Sequence, residues 1–521
     1  MLVCATLLVG CSSDNKESRE MLKKSIINLR QEPPQLNSIL AYDSVSFNVI
    51  NHVFEGLTRI DKNQNVIPGV AKGWDISEDK LTYTFYIRNS KWSDGSKISA
   101  KDFEFAIKEV LNPKNLSQHA SVMYMIKNAK EYNQGNCLRE DVGIIAKSDD
   151  ILEITLEYPC SYFLYLTSCA NFMPVKQEFY ERQRGQYAKT EQNMIFNGAW
   201  IIDEWNHGQK MILRKNLNYW NSNNIRLNEI ECLMVKDEQL EYSLFKDGNL
   251  DIMNVVGDNL NQAINDGYTV KKYLDGVTVY LEFNINSNIL KDKNIRDSIT
   301  YVIDKDELCD DILKNGDIKA TTLINPVVKS GSEIDIQKHK ITNKKQRLNL
   351  AKSLFEAGIR QLGISNLNDV SITMLAQDGE ISTKEALYYK ECIEKNLNVS
   401  VNLITLPFGE QLQKYRNGDF DIAIVKLAPD YNSPITYLDM LSSNNSLTYK
   451  NEIYDELLTM AQCETNDKKR VEMIKEMENI ISRDVPIYPL YYRQMYYVVN
   501  TKIKDIVKGA FRDLDMYYAH Y

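Results

Sequence analysis

The sequence predicts an α/β protein of two or three domains, its strands joined by helical crossovers. Three observations carry this expectation. Segments of helical and strand period alternate between residues 350 and 427. One helix-to-strand pattern occurs twice, at 245–252 and 415–422. The chain has 521 residues, several times the usual size of one domain.

Taken in chain order, Met1–Cys11 is an apolar run ending Leu8-Val9-Gly10-Cys11. A helix needs about 20 apolar residues to span a bilayer, so this run suits the h-region of a signal peptide instead. Its end resembles the bacterial lipobox, which implies lipidation at Cys11. No Lys or Arg precedes the run, a departure from the usual leader that is read as a late start or a trimmed N-terminus. Residues 12–24 read as a flexible tether. Leu81–Ile87 alternates in the period of a half-buried strand. Ser99 and Asp102 form a capping-box pattern. Phe103, Ala106, Ile107 and Val110 follow at helical spacing, and Pro113 stops the helix.

Further on, Leu350, Ala351, Leu354 and Phe355 lie on one helical face, with Gly358 expected to close that helix. Residues 383–395 read as helix, Val399–Leu406 as strand, 409–417 as helix and Phe420–Leu427 as strand. In the repeated pattern, Phe245-Lys246-Asp247-Gly248-Asn249-Leu250-Asp251-Ile252 matches Tyr415-Arg416-Asn417-Gly418-Asp419-Phe420-Asp421-Ile422 in residue type. Each copy should end a helix on a glycine at positive φ and launch a strand. The two are read as equivalent units of two lobes.

Charge and composition narrow the function. A net charge of -9 without a long basic run argues against nucleic-acid binding, which needs clustered Lys and Arg. No apolar stretch reaches 18 residues, so no spanning helix is expected. Of the nine cysteines, seven remain if Cys4 is cleaved and Cys11 lipidated. They are read as small buried hydrophobes, with Cys160 and Cys169 not expected to pair. No cofactor or metal is expected: there is no C-x-x-C, H-E-x-x-H, G-x-S-x-G, G-x-G-x-x-G or P-loop. His52, His119, His207, His339 and His520 are scattered without ligand spacing. A glycosidase-like carboxylate pair stays open. Tyr488, Tyr491, Tyr492, Tyr496 and Tyr497 crowd one segment, as contacts for a varied ligand or as packing between lobes.

The motifs between Pro68 and Pro113 are more specific. Pro68-Gly69-Val70-Ala71, Trp74, Ser77, Asp79, Leu81–Phe85, Lys91-Trp92-Ser93-Asp94-Gly95 and Ala100-Lys101-Asp102-Phe103 occur in that order. This series resembles the signature of the family-5 solute-binding proteins, the oligopeptide- and dipeptide-binding proteins of ABC importers. Glu32–Leu36, Phe54–Leu57, Asn197–Trp200, Asn218–Trp220, Phe283-Asn284 and Ile303-Asp304-Lys305 extend the resemblance over nearly all of the mature chain. It implies a class II periplasmic-binding-protein-like fold: two lobes joined by a hinge, with an additional domain on the first lobe. Domain I would comprise 25–57, 187–285 and 490–521, domain II 58–186, and domain III 286–489. The implied protein is a monomer and no enzyme. It is lipid-anchored to the outer face of the bacterial cytoplasmic membrane and passes short peptides to the permease subunits of an ABC transporter.

The same resemblance implies the site. Asp430, in Pro429–Leu438, falls where the peptide-binding branch pairs an Asp with the ligand's α-ammonium group in a closed cleft. Tyr431 and Asn432 follow it. Main-chain recognition is expected from extended segments at Asp43, Ser44, Val45 and Ser46, and at Val425, Lys426, Leu427 and Ala428. His119 falls where relatives carry an aromatic. One departure stands out. Relatives place arginines near Tyr415 and Ile424 for a ligand's C-terminal carboxylate; here Arg416 is adjacent to the first and Lys426 is near the second. The same fold binding a signalling peptide, a metal chelate or a sugar is the alternative, and an extracytoplasmic hydrolase a third.

Overall fold

The computed structural model describes residues 23–328, 343–367 and 370–521. The leader, Cys11 and most of the tether lie outside the described residues. The chain divides into two compact units, one running to Lys271 and resuming over Tyr496–Tyr521, the other spanning Lys272–Met495.

The first unit contains two four-stranded sheets. Its opening elements are β1 (Lys24–Asn28) and α1 (Ser44–Val53), followed by the hairpin of β2 (Thr58–Ile60) and β3 (Val66–Pro68). Then come β4 (Ala71–Ile76), β5 (Thr82–Ile87), α2 (Ala100–Val110), β6 (Ile144–Ser148) and β7 (Ile151–Thr155). One sheet has the order β4-β5-β7-β6, all antiparallel. In β5 the buried side chains are Tyr83, Phe85 and Ile87, as the alternation predicts. At the start of α2 the Asp102 carboxylate accepts the Ser99 N–H at 2.8 Å. Burial pushes that carboxyl up to about 6. Pro113 opens a short 3₁₀ turn just past the helix end.

The other sheet is built from β1, β8 (Trp200–Asn206), β9 (Lys210–Lys215) and β10 (Glu229–Leu233), in the order β1-β10-β9-β8 with β1 parallel to β10. Beyond it lie α3 (Glu238–Lys246), β11 (Ile252–Val255) and α4 (Gly257–Asn265). His52 is a satisfied core histidine: Nδ1 lies 2.7 Å from the Asn48 carbonyl, and Nε2 accepts the Met516 N–H at 3.2 Å.

The second unit is entered on β12 (Lys271–Phe283). It continues with α5 (Lys293–Val302), β13 (Ile318–Lys319), α6 (Lys344–Gln361) and β14 (Ser371–Gln377). Next come α7 (Glu380–Leu397), β15 (Ser400–Leu406), α8 (Phe408–Asn417) and β16 (Ile422–Leu427). It closes with α9 (Glu452–Cys463), α10 (Asp467–Asp484) and β17 (Ile487–Val499), which carries the chain back to the first unit. The strand order is β17-β12-β16-β14-β15. Strands β15, β14 and β16 are mutually parallel and joined by α7 and α8, the crossovers that the alternation predicts. The core gathers Phe283, Ile299, Phe355, Ile372, Met374, Tyr389, Ile422 and Leu490.

Gly358 does not close α6, which continues to Gln361. It serves a close approach instead. A Cβ there would stand 2.4 Å from Ile295 Cγ1 and 2.7 Å from Asp292 Oδ1, both at the start of α5. The positive φ that follows the helix, 69°, belongs to Gly363.

The repeated pattern folds alike in both units. Gly248 and Gly418 both have φ 75°. Asn249 N–H reaches Leu244 O at 2.7 Å, and Asp419 N–H reaches Lys414 O at 3.0 Å. The last aspartate of each copy then clasps the neighbouring strand. Asp251 Oδ2 accepts Ile26 N–H at 2.8 Å in β1, and Asp421 Oδ2 accepts Thr373 N–H at 2.7 Å in β14.

Candidate ligand-binding site

Strand β16 supplies the backbone of the candidate site in the second unit. On one side it pairs with β12 along its whole length, from Ile422↔Phe283 to Leu427↔Thr278. On the other side it meets β14 only at Ile422 and Ala423. There the two parallel strands part, and β14 goes on with β15 to Gln377↔Leu406. Among the described residues, the edge of Val425–Leu427 that faces away from β12 therefore has no ladder partner. The expectation of an extended segment at Val425, Lys426 and Leu427 holds, and Ala428 continues past the strand end.

The following turn is anchored at its base. Asp430 N–H donates to Thr436 Oγ1 at 3.0 Å, and Ser433 N–H donates to Tyr431 O at 2.8 Å. Tyr437 is buried, and its hydroxyl donates to the Gly276 carbonyl of β12 at 2.6 Å. Burial, then the charges of Asp275 and Asp430, push that phenol well above its ordinary range. Asp430 itself is exposed on its unit, whereas the reading expects an enclosed carboxylate; Tyr431 and Asn432 are half-buried.

Where β14 and β16 diverge, a cavity of about 230 Å³ opens against α7 and α8. Tyr415, Val425 and Lys426, all expected at the site, line it together with Phe408, Gln411 and Glu385. Lys426 Nζ donates to Ser382 Oγ at 2.8 Å and stands 3.6 Å from Glu385 Oε1. Glu385 is fully buried, and its Oε2 accepts the hydroxyls of Tyr491 at 2.8 Å and Tyr389 at 3.4 Å. Burial raises the Glu385 carboxyl, and the Lys426 charge works against that. Tyr415 is fixed in place: its hydroxyl donates to Glu282 Oε2 at 2.7 Å, and its ring stacks on Phe420 at 5.4 Å. Arg416 is exposed and does not line the cavity.

A larger cavity of about 380 Å³ lies elsewhere in the second unit, with Tyr488 of the tyrosine-rich segment in its wall. Its cations are already engaged: Lys319 with Asp306, Lys344 with Glu307, Arg347 with Asp304, and Lys305 with the Ala320 carbonyl and the Tyr488 ring.

In the first unit one expectation fails. Ser44, Val45 and Ser46 are not extended; they form the first turn of α1. Asp43 is its N-cap, accepting the Ser46 N–H at 2.9 Å. Ser46, Val49, Ile50 and Val53 then repeat at helical spacing and are buried, so the apolar period sets a helix here. Ser44 and Val45 border a small cavity of about 80 Å³ together with Asn48 and Asn254. The Oδ1 atoms of both asparagines are buried without a hydrogen-bond partner. His119 lies edge-on to Phe47 of α1 at 5.5 Å.

Sequence reasoning missed Asn48, Asn254, Ser382 and Glu385. The repeat marks Asn254, since it is to Ile252 what Ile424 is to Ile422. No comparable signal marks Glu385. The seven cysteines from Cys137 onward are free thiols, Cys160 and Cys169 included. Among the described residues no cluster of His, Cys, Asp or Glu could hold a metal ion, and no helix is long and apolar enough to cross a membrane.

This architecture has close counterparts. The oligopeptide-binding protein OppA of Bacillus subtilis (strain 168) is 30% identical over 525 residues, covering 97% of this chain and 95% of that protein. The substrate-binding domain of an oligopeptide ABC transporter from Bacillus anthracis str. Ames superposes with a TM-score of 0.78 at 29% identity, over 96% of this chain and 98% of that one. Listeria monocytogenes OppA bound to peptide gives 0.77 at 27% identity, over 96% and 99%. Both structures have the two-lobed solute-binding fold. Residues 65–448 match the bacterial extracellular solute-binding proteins, family 5 Middle, and the chain belongs to that family.

Proposed function

We propose that this protein is the substrate-binding lipoprotein of an ABC transporter, capturing short peptides outside the cytoplasm and delivering them unaltered to the permease. The observation that carries the reading is the one-sided edge of β16, which runs directly into Asp430. A peptide laid along Val425–Leu427 as an added strand is held through its main chain, whatever its side chains. Its α-ammonium group then comes to Asp430, because every unblocked peptide carries one cation at a fixed end. Relatives named for oligopeptide binding support the ligand class. Tyr431 and Asn432 flank the amine. Ser44 and Val45 contribute from the first turn of α1 rather than from a strand, and His119 stands beside that helix. Cys11 would carry the lipid that holds the protein at the outer face of the membrane. Cys11→Ser should release it into the medium, and full retention would reject the anchor.

A charge pair at 4 Å is worth about 1 kcal/mol in bulk water and about 4 kcal/mol at an effective dielectric of 20. Asp430→Asn should thus weaken binding of free-amine peptides at least about fivefold, read by titration calorimetry. N-acetylated peptides should bind the variant and the parent alike. Equal affinity of the parent for acetylated and free peptides rejects the role of Asp430.

A further inference from the structure

Strands β12 and β17 both carry the chain from one unit to the other, β12 at Lys271–Lys272 and β17 at Met495–Tyr496. Side chains tie the two strands together just inside the second unit. Asp275 Oδ2 of β12 accepts the Arg493 guanidinium of β17, with Nε at 2.7 Å. Gln494 Nε2 donates to the Tyr273 carbonyl. From Thr278 onward β12 is paired with β16. Between the ties and the paired stretch the strand is kinked: Gly276 has φ 82°, a conformation glycine adopts without strain. Gly276 is buried, and its carbonyl accepts the Tyr437 hydroxyl at 2.6 Å. Tyr437 is fully buried in a short helix, Ile435–Leu438, that continues the Asp430 turn. Its N–H donates to the Pro434 carbonyl at 3.1 Å, and its neighbour Thr436 holds the Asp430 N–H. The charges of Asp275 and Asp430 both act on its hydroxyl, so the phenol stands between the β12 kink and the turn.

We propose that Tyr437 is a positioning residue that couples capture of the ligand's amine at Asp430 to the crossing strands, through its hydrogen bond to the kink at Gly276. The proposal rests on the peptide-binding reading. An enclosed ring cannot swing without opening a void, so a shift of the turn moves the hydroxyl with it. A hydrogen bond weakens steeply as its geometry departs from the preferred range. Leaving a buried carbonyl without a donor is unfavourable, so the Gly276 carbonyl follows the hydroxyl. Gly276 has no side chain to repack, which lets β12 yield at that point. The coupling is reciprocal: if an amine at Asp430 steadies the kink, a freed kink weakens the hold on the amine by the same factor. Phenylalanine at 437 keeps the ring and removes only the tie. A tyrosine kept for packing alone would be served as well by phenylalanine.

The test is hydrogen exchange and calorimetry on the full chain with tetra-alanine and N-acetyl-tetra-alanine. In the parent, saturating tetra-alanine should slow exchange across 273–278 at least about twofold more than saturating N-acetyl-tetra-alanine, the lower end of couplings within one network. In Tyr437→Phe that difference should vanish, and the ratio of free to acetylated affinity should fall at least about twofold. In Asp430→Asn the amine has no carboxylate to meet, so adding Tyr437→Phe should leave the ratio unchanged. A parent that binds the free peptide more tightly yet protects 273–278 equally with both overturns the coupling and leaves the role of Asp430 intact. A lower melting temperature in Tyr437→Phe with the parent's ratio does the same, and makes Tyr437 a packing residue only. A parent that binds both peptides alike, or neither, overturns the role of Asp430 and the coupling with it. The comparison of the two peptides on the parent needs no variant and decides the matter should Tyr437→Phe fold poorly.

Discussion

Replacing Glu282 by glutamine should remove a pH dependence from the second unit. Glu282 is 3% exposed on β12, and its carboxylate accepts the Tyr415 hydroxyl. Burial pushes its carboxyl from the usual 4.5 up to about 7, and the bond from Tyr415 only partly opposes this. Between these two values the unfolded chain has lost the proton and the folded protein still holds it. Stability therefore falls as pH rises through the window from 4.5 to 7. At about 1.4 kcal/mol per unit, this one group costs about 3 kcal/mol above pH 7 relative to pH 4. Glutamine keeps an acceptor for Tyr415 and cannot ionise. Any constant cost of the exchange cancels when one protein is compared at two pH values. All five tryptophans, Trp74, Trp92, Trp200, Trp205 and Trp220, lie in the first unit, so their fluorescence would not report the change. Hydrogen exchange of the 278–283 and 422–427 segments reports it directly. Their protection should weaken between pH 5 and pH 8 in the parent, after correction for intrinsic exchange, and much less in Glu282→Gln. An equal loss in both proteins would refute the reasoning.

Other outcomes follow from the packing. Gly358→Ala gains about 1 kcal/mol of helix propensity but forces a methyl against Ile295, where overpacking costs about 1–3 kcal/mol, so the exchange should lower the urea midpoint; a rise would mean that α6 and α5 separate easily. Asp421→Ala strips the Thr373 N–H of its acceptor and should cost about 1–3 kcal/mol. Asp251→Ala strips Ile26 N–H and Ser25 Oγ together, and should lower the melting temperature more than Asp421→Ala. Equal melting shifts would deny that the first copy bears the larger network.

How much of this was legible in the residues depends on the range of the interaction involved. The β5 alternation, the Ser99–Asp102 cap and the glycine turns at 248 and 418 are set by neighbours within a few positions, and their patterns can be read directly. The helical period of Ser46, Val49, Ile50 and Val53, with Asp43 ahead of it, is equally local. An extended backbone at 44–46 came from resemblance alone, and the period prevails. Gly358 reads as a helix end because its reason for being glycine, Ile295, lies on another helix. Helix and strand periods, the internal repeat and the ordered motifs of the family are all written in the order of the residues. The tertiary structure alone decided that β14 and β16 part after two paired residues, opening a cavity over Glu385, Ser382 and Lys426. Lys426 reaches the other two from a separate element, and no spacing along the chain encodes that meeting.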